Sequence, residues 1–126
     1  MFNGLHTVAQ GSIGAAIAIG ELAKKGFVVS IPLVDAQAYD LIADDGSKLL
    51  KVQVKSTGTL IRGNFVVQLK RVHHNKSGNF IRNFDSSKVD LLVIVCSDGA
   101  VYVIPSTEVK SKTSLTLTSD WDGWRV

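Results

Sequence analysis

An α+β fold, a mixed sheet with an N-terminal helix against one face, follows from three features of the sequence. A helix-compatible segment, "GSIGAAIAIGELAKKG" (residues 11–26), precedes everything strand-like. After it come short runs rich in β-branched and aromatic residues, separated by Gly, Pro, Asp and Ser. A 45% hydrophobic content over 126 residues, mostly aliphatic, supplies the core of one domain.

The helix is predicted to start at Ser12 as a cap, to be filled by Ala, Ile and Leu, and to stop at Gly26 after two lysines. That start puts Ala15 in the first turn. "FVVSI" (27–31) reads as a strand ended by Pro32, and "YDLIA" (39–43) and "KLLKVQVKS" (48–56) as a hairpin around "DDGS". "NFVVQLK" (64–70) is a fourth strand. "RVHHNKSGNFIRNFDSSK" (71–88) reads as polar, basic and irregular. "VDLLVIV" (89–95) is a buried-type strand that "AVYVIP" (100–105) rejoins across "SDG". "STEVKSK" allows one helical turn, "SLTLT" (114–118) a last strand, and the tail "SDWDGWRV" holds both tryptophans, read as packing residues. The whole reads as one domain over residues 1–126, with a core of about 9–110 and a tail of 111–126.

Several classes are disfavoured. No apolar run reaches the roughly 18 residues of a membrane span. "MFNGLHTVAQGS" lacks the basic-then-apolar order of a secretory signal. The single cysteine, Cys96, lies in an apolar run and reads as a core thiol, which points to a cytoplasmic protein. A net charge of +3 and a pI near 9.1 tolerate a polyanionic partner without requiring one.

Chemistry concentrates in the hairpin. Alternation puts Leu50, Val52 and Val54 on one face of the second strand and Lys51, Gln53 and Lys55 on the other. A two-residue turn at Asp45-Gly46 sets Asp40 across from Lys51, and one at Gly46-Ser47 sets it across from Gln53. Either register brings one carboxylate, one amide and one ammonium together. Two readings remain open on pattern alone. One is a solvated polar face with an Asp–Lys pair. The other is a hard-cation site in which Asp40, the Gln53 side-chain oxygen and a backbone carbonyl hold Mg²⁺, with Lys55 beside a water or a phosphate.

Taken in order, the helix start "GSIG", then "GFVVSIP", "YDLIADDG", "VQVKS" and "VDLLVIV…VYVIPSTEV" resemble the PD-(D/E)XK nuclease superfamily over roughly residues 9–110. The likeness is greatest to its branch with Gln at the second acid position, which includes homing endonucleases of group I introns. The resemblance implies a restriction-endonuclease-like core of αβββαβ type. It implies Mg²⁺-dependent, site-specific double-strand cleavage of DNA. Asp40 is then the metal-binding acid, Gln53 stands at the second acid position, Val54 offers its carbonyl, and Lys55 is the family's lysine. Because a double-strand cut needs two sites, a homodimer or homotetramer is expected. A Holliday-junction-resolving nuclease and a DNA-binding protein that has lost catalysis are the alternatives.

One departure stands out. Members of the branch carry Glu where this chain has Ala15 in "GSIGAA". Glu21 lies about 240° further round the helix and points elsewhere. Ala15 therefore reads as a lost acid that leaves the chain impaired or inactive. Segment 62–88 carries Arg62, Lys70, Arg71, Lys76, Arg82 and Lys88 with Phe80 and Phe84 between them. It reads either as a solvated loop or as a DNA-contacting arm in which His73 and His74 reach base edges. A zinc or His-Asn-His site at His73-His74-Asn75 is disfavoured, since adjacent side chains diverge.

Overall fold

A computed structural model describes residues 7–34, 37–75 and 78–126. Helix α1 spans Thr7–Lys24, so it begins at least five residues before Ser12, which is an exposed residue within it rather than its cap. The helix-compatible "TVAQ" simply extends the segment, and Ala15 sits about two turns in. Its end follows the sequence. Gly26 takes φ +95°, its N–H donates to the Ala23 carbonyl at 3.0 Å, and Phe27 N–H donates to Leu22 at 3.1 Å. This is a Schellman closure, and it needs a left-handed residue at position 26.

Strands β1 (Val28–Ser30), β2 (Leu41–Asp44) and β3 (Leu49–Thr57) form an antiparallel meander. β3 then pairs in parallel with β8 (Leu91–Cys96), and β8 antiparallel with β9 (Val101–Pro105). The sheet order is β1-β2-β3-β8-β9. The two parallel strands at its centre are covered on both faces, as the near-continuous apolar run "LLVIVC" foretells.

α1 covers one face. Gly14, Ala18 and Leu22, four apart, form its buried stripe, and Ala18 and Leu22 join Leu41, Ala43, Val52, Val93 and Val95 in a core. The helix runs closest to β3 at Gly14. A β-carbon there would lie 2.0 Å from Ser56 Oγ and 3.4 Å from its Cβ.

The other face departs from the αβββαβ pattern. A parallel pair requires a crossover, usually a helix. Among the described residues α1 is the single α-helix, and hairpins make the crossover instead. β4 (Leu60–Ile61) and β5 (Asn64–Gln68) pair around Arg62-Gly63, both at positive φ, the geometry of a type I′ turn. β6 (Arg71–Asn75) and β7 (Gly78–Arg82) form a second ribbon where the sequence reads as irregular. "RVHHN" has no apolar alternation to announce a strand, so its pairing is invisible to periodicity. Residues 67–70 alternate buried and exposed, the two-residue period of a strand, and Arg62-Gly63 supplies a tight turn before them. β10 (Ser114–Thr116) pairs with β5, and Val67, Leu69, Phe84, Leu115 and Leu117 pack on Leu92, Ile94 and Cys96 as a second core. The expected tail is thus built into the fold. A 3₁₀ helix, Ser119–Trp124, lays the half-buried Trp121 and Trp124 against the same core, and Val126 N–H bonds to Val101 at 2.9 Å. The turn expected in "STEVKSK" is a 3₁₀ turn at Ser106–Glu108.

Two outcomes follow. Gly14→Ala should destabilise the fold by about 1–3 kcal/mol through overpacking against Ser56. Most of that loss should vanish in a Ser56→Ala background, measured by a denaturant double-mutant cycle. Burial pushes the Cys96 thiol up to about 11 from an ordinary 9.0, with Asp98 adding to the rise. The unfolded thiol therefore loses its proton first. Stability contributed by the protonated thiol is complete below pH 9 and falls as pH climbs from about 9 to about 11. The difference in stability between the native chain and Cys96→Ala should show this slope, and below pH 9 it should be flat.

Candidate active site

Asp40 sits at the mouth of the β2–β3 hairpin. The observed ladder, Leu41↔Val52 through Asp44↔Leu49, continues to a bond from Asp45 N–H to Lys48 at 3.1 Å. This is the register with Gly46-Ser47 at the tip, and Gly46 is at φ +97°. Asp45 Oδ1 accepts from the N–H groups of Lys48 and Ser47 at 2.7 and 2.8 Å, which ties the turn and lowers the Asp45 pKa. One step beyond Leu41↔Val52, Asp40 falls opposite Gln53. Its N–H donates to Val52 at 2.8 Å, and its Oδ2 accepts from Val54 N–H at 2.8 Å. The carboxylate takes over the strand partner that β2 ceases to be, so β2 and β3 part at this residue.

Past that point β3 faces α1 across a cavity of about 450 Å³, lined by Gln10, Gly11, Ala15, Asp40, Val54, Lys55 and Ser56. Ala15, Asp40, Val54 and Lys55, read from sequence as one site, thus meet. Lys55 is half-buried there. Glu21 is not part of it and pairs with Lys24 at 3.2 Å.

Gln53 lines a different cavity. Its side chain is buried on the sheet face opposite α1, and Nε2 donates to the Ala38 carbonyl at 3.1 Å. Its Oε1 is buried with no hydrogen-bond partner among the described residues. The cavity beside it is also lined by Arg82, Asn83, Phe84, Asp85, Lys88 and Val89. The hairpin register therefore makes Asp40 and Gln53 neighbours across the strands, at the edge of β3 where the two cavities adjoin it.

Of the basic residues, Arg62 is exposed at the β4–β5 tip, Lys70 is exposed after β5, and Arg82 is exposed at the end of β7. Arg71, His73 and His74 lie in β6, where Arg71 pairs with Arg82 and His73 with Phe80. Lys76 lies outside the described residues. Sequence reading missed Asp90, which mirrors Asp40 on the other edge of β3. Its Oδ2 accepts from Lys51 N–H at 2.8 Å, and its N–H donates to the Lys51 carbonyl at 2.8 Å. The signal was an acid just before a buried strand, the same placement as Asp40.

The donor chemistry around Asp40 and Gln53 is all oxygen: a carboxylate, an unpartnered buried amide oxygen and backbone carbonyls. That set suits a hard cation such as Mg²⁺. It is sparse in charge, and among the described residues no group of three or more His, Cys, Asp or Glu side chains is placed to hold a metal.

A helix laid on a mixed sheet, with an acid entering one strand and a lysine on its partner where the two separate, is the core of a restriction-endonuclease-like fold. The family model for PD-(D/E)XK endonucleases matches residues 5–121, and the chain belongs to that family. It is similar to the solved structure of a bacterial homing endonuclease, I-Ssp6803I, with 28% identity and a TM-score of 0.79. The match covers 94% of this chain and 88% of that one. No curated protein matches the sequence significantly. Among the described residues, no helix is long and apolar enough to cross a membrane.

Proposed function

We propose that this chain is a site-specific endonuclease of duplex DNA, of the homing type, whose Mg²⁺-dependent cleavage is impaired by the alanine at position 15. The supporting observation is the cavity that Ala15 shares with Asp40 and Lys55. Asp40, the Gln53 amide oxygen and the Val54 carbonyl would hold the cation. When bound, it would stabilise charge on the scissile phosphate. Asp40 is fixed for that task by Val54 N–H. Lys55 donates to the attacking water or to a phosphate oxygen, an interaction that strengthens as charge develops. Ala15 brings only a methyl group to the same space, so neither the cation nor the water gains a second carboxylate.

Ala15→Glu should raise Mg²⁺-dependent cleavage of bound DNA by about two orders of magnitude or more. Lys55→Ala in that background should abolish the gain. The measurement is plasmid or long-fragment cutting with and without EDTA, on DNA first shown to bind. If Ala15→Glu binds that DNA and cuts no faster than the native chain, position 15 is not the site of a lost acid. A chain that binds DNA without cutting it then becomes the better reading, and the same observation of Ala15 favours it.

Two cuts on antiparallel strands require two sites, so the complex with one duplex should hold a two-fold pair or a tetramer of protomers. Sedimentation of that complex should give a mass of at least two chains per duplex. A single chain per duplex would indicate nicking or binding alone.

A further inference from the structure

Two cavities run together on the sheet face opposite α1. The one beside Gln53 shares Asn83, Phe84 and Asp85 with a second of about 470 Å³, which is also lined by Val109, Lys110, Ser111 and Lys112. Joined along this shared wall they make a groove bounded by segment 82–89, with residues 109–112 lining its outer part and Gln53 its inner part. Its walls are fixed. Phe84 N–H donates to the Lys112 carbonyl at 2.8 Å, Ser106 Oγ to the Ser86 carbonyl at 3.2 Å, and Phe84 and Val109 are buried in the core beneath. Asp85 Oδ1 accepts from the Ser87 N–H and hydroxyl at 2.9 and 2.6 Å, which holds the bend in one wall.

The charge in this groove is one-sided. Arg82, Lys88, Lys110 and Lys112 are exposed along it against one lining carboxylate, Asp85. The Ser87 bonds first, and then the ammoniums of Lys88 and Lys112, keep Asp85 ionised to lower pH than usual. Both lysines therefore act on the same point from opposite walls. Lys110 reaches back to the Thr107 carbonyl at 2.9 Å and stands at the outer end. The inner end is Gln53, across the strands from Asp40. A line of cations with spare donors, leading from the surface to the back of the proposed site, suits a phosphate backbone.

We propose that this groove seats a phosphodiester strand of the DNA, and that Lys88, Lys110 and Lys112 position it against β3. This rests on the duplex-DNA reading above, and it adds residues from the end of the chain that the basic segment 62–88 does not contain. The bound strand runs from Asp40 and Lys55, along the edge of β3 that β2 leaves open, to the groove beside Gln53.

The test is affinity for duplex DNA as a function of salt. Removing one lysine–phosphate interaction should flatten the log–log slope by roughly one. Lys110→Ala/Lys112→Ala should flatten it by about two and weaken binding about tenfold or more in low salt. Lys110→Arg/Lys112→Arg should keep the native slope, and so should Lys24→Ala/Lys25→Ala at the far end of α1. If the native chain binds with a steep slope and the double alanine variant keeps it, the groove is overturned and the duplex reading stands. If the native chain binds no duplex in low salt, both fall. Melting temperature and circular dichroism of each variant check that the exposed lysines were removed without loss of fold.

Discussion

The hydrogen bond from Val54 N–H to the Asp40 carboxylate is the constraint on which the site depends. β3 pairs with β8 along its whole second half, from Val52↔Leu91 to Thr57↔Cys96, but with β2 only up to Val52. Beyond that residue its other edge needs a partner or a solvated opening. Asp40 supplies the first acceptor and leaves the rest open, so the carboxylate is both the end of a ladder and the start of a cavity. Asp90 does the same work at the other edge, where its carboxylate and N–H hold Lys51 until β8 begins. Without these bonds the Val54 and Lys51 N–H groups would lack strand partners.

The second constraint is the distance between α1 and β3. Gly14 meets Ser56 with no room for a methyl group, and the small Ala18 continues the approach before Leu22 fills the wider gap. That closeness puts position 15 into the cavity, one residue along from the closest approach. A bulkier stripe would hold the helix away and leave the residue at 15, whatever its chemistry, too far out to act on anything bound at Asp40. Packing and proposed chemistry thus depend on the same few ångströms.

The opposite face shows how a fold family can keep its centre and change its cover. The parallel β3–β8 pair needs a crossover, and here hairpins and the end of the chain build it. The second core, from Val67 and Leu69 to Leu115 and Leu117, replaces what a helix would bury. Hairpins have tips and edges that a helix lacks. They carry Arg62 to an exposed turn, Arg82 to a strand end, and segment 82–89 to the side of residues 109–112.

The sequence alone determined the α+β class, the helix with its glycine stop, the central strands, and the D-x(12)-Q-x-K pattern. These signals are local: periodicity, turn residues and spacing along one chain. Periodicity could not find the β6–β7 ribbon, because "RVHHN" offers no apolar alternation to mark a buried face. Nor could it tell what Gln53 and Lys55 each meet, although alternation assigns both to one side of the strand. In the folded chain the strand edge opens and the two side chains meet different neighbours. Tertiary structure decided that Gln53 faces Arg82 and Lys88, that Lys110 and Lys112 join them, and that Ala15 shares a cavity with Asp40 and Lys55. Those placements rest on long-range pairing, and residues far apart in the chain become neighbours only after β3, β8 and the hairpins have closed around a common core.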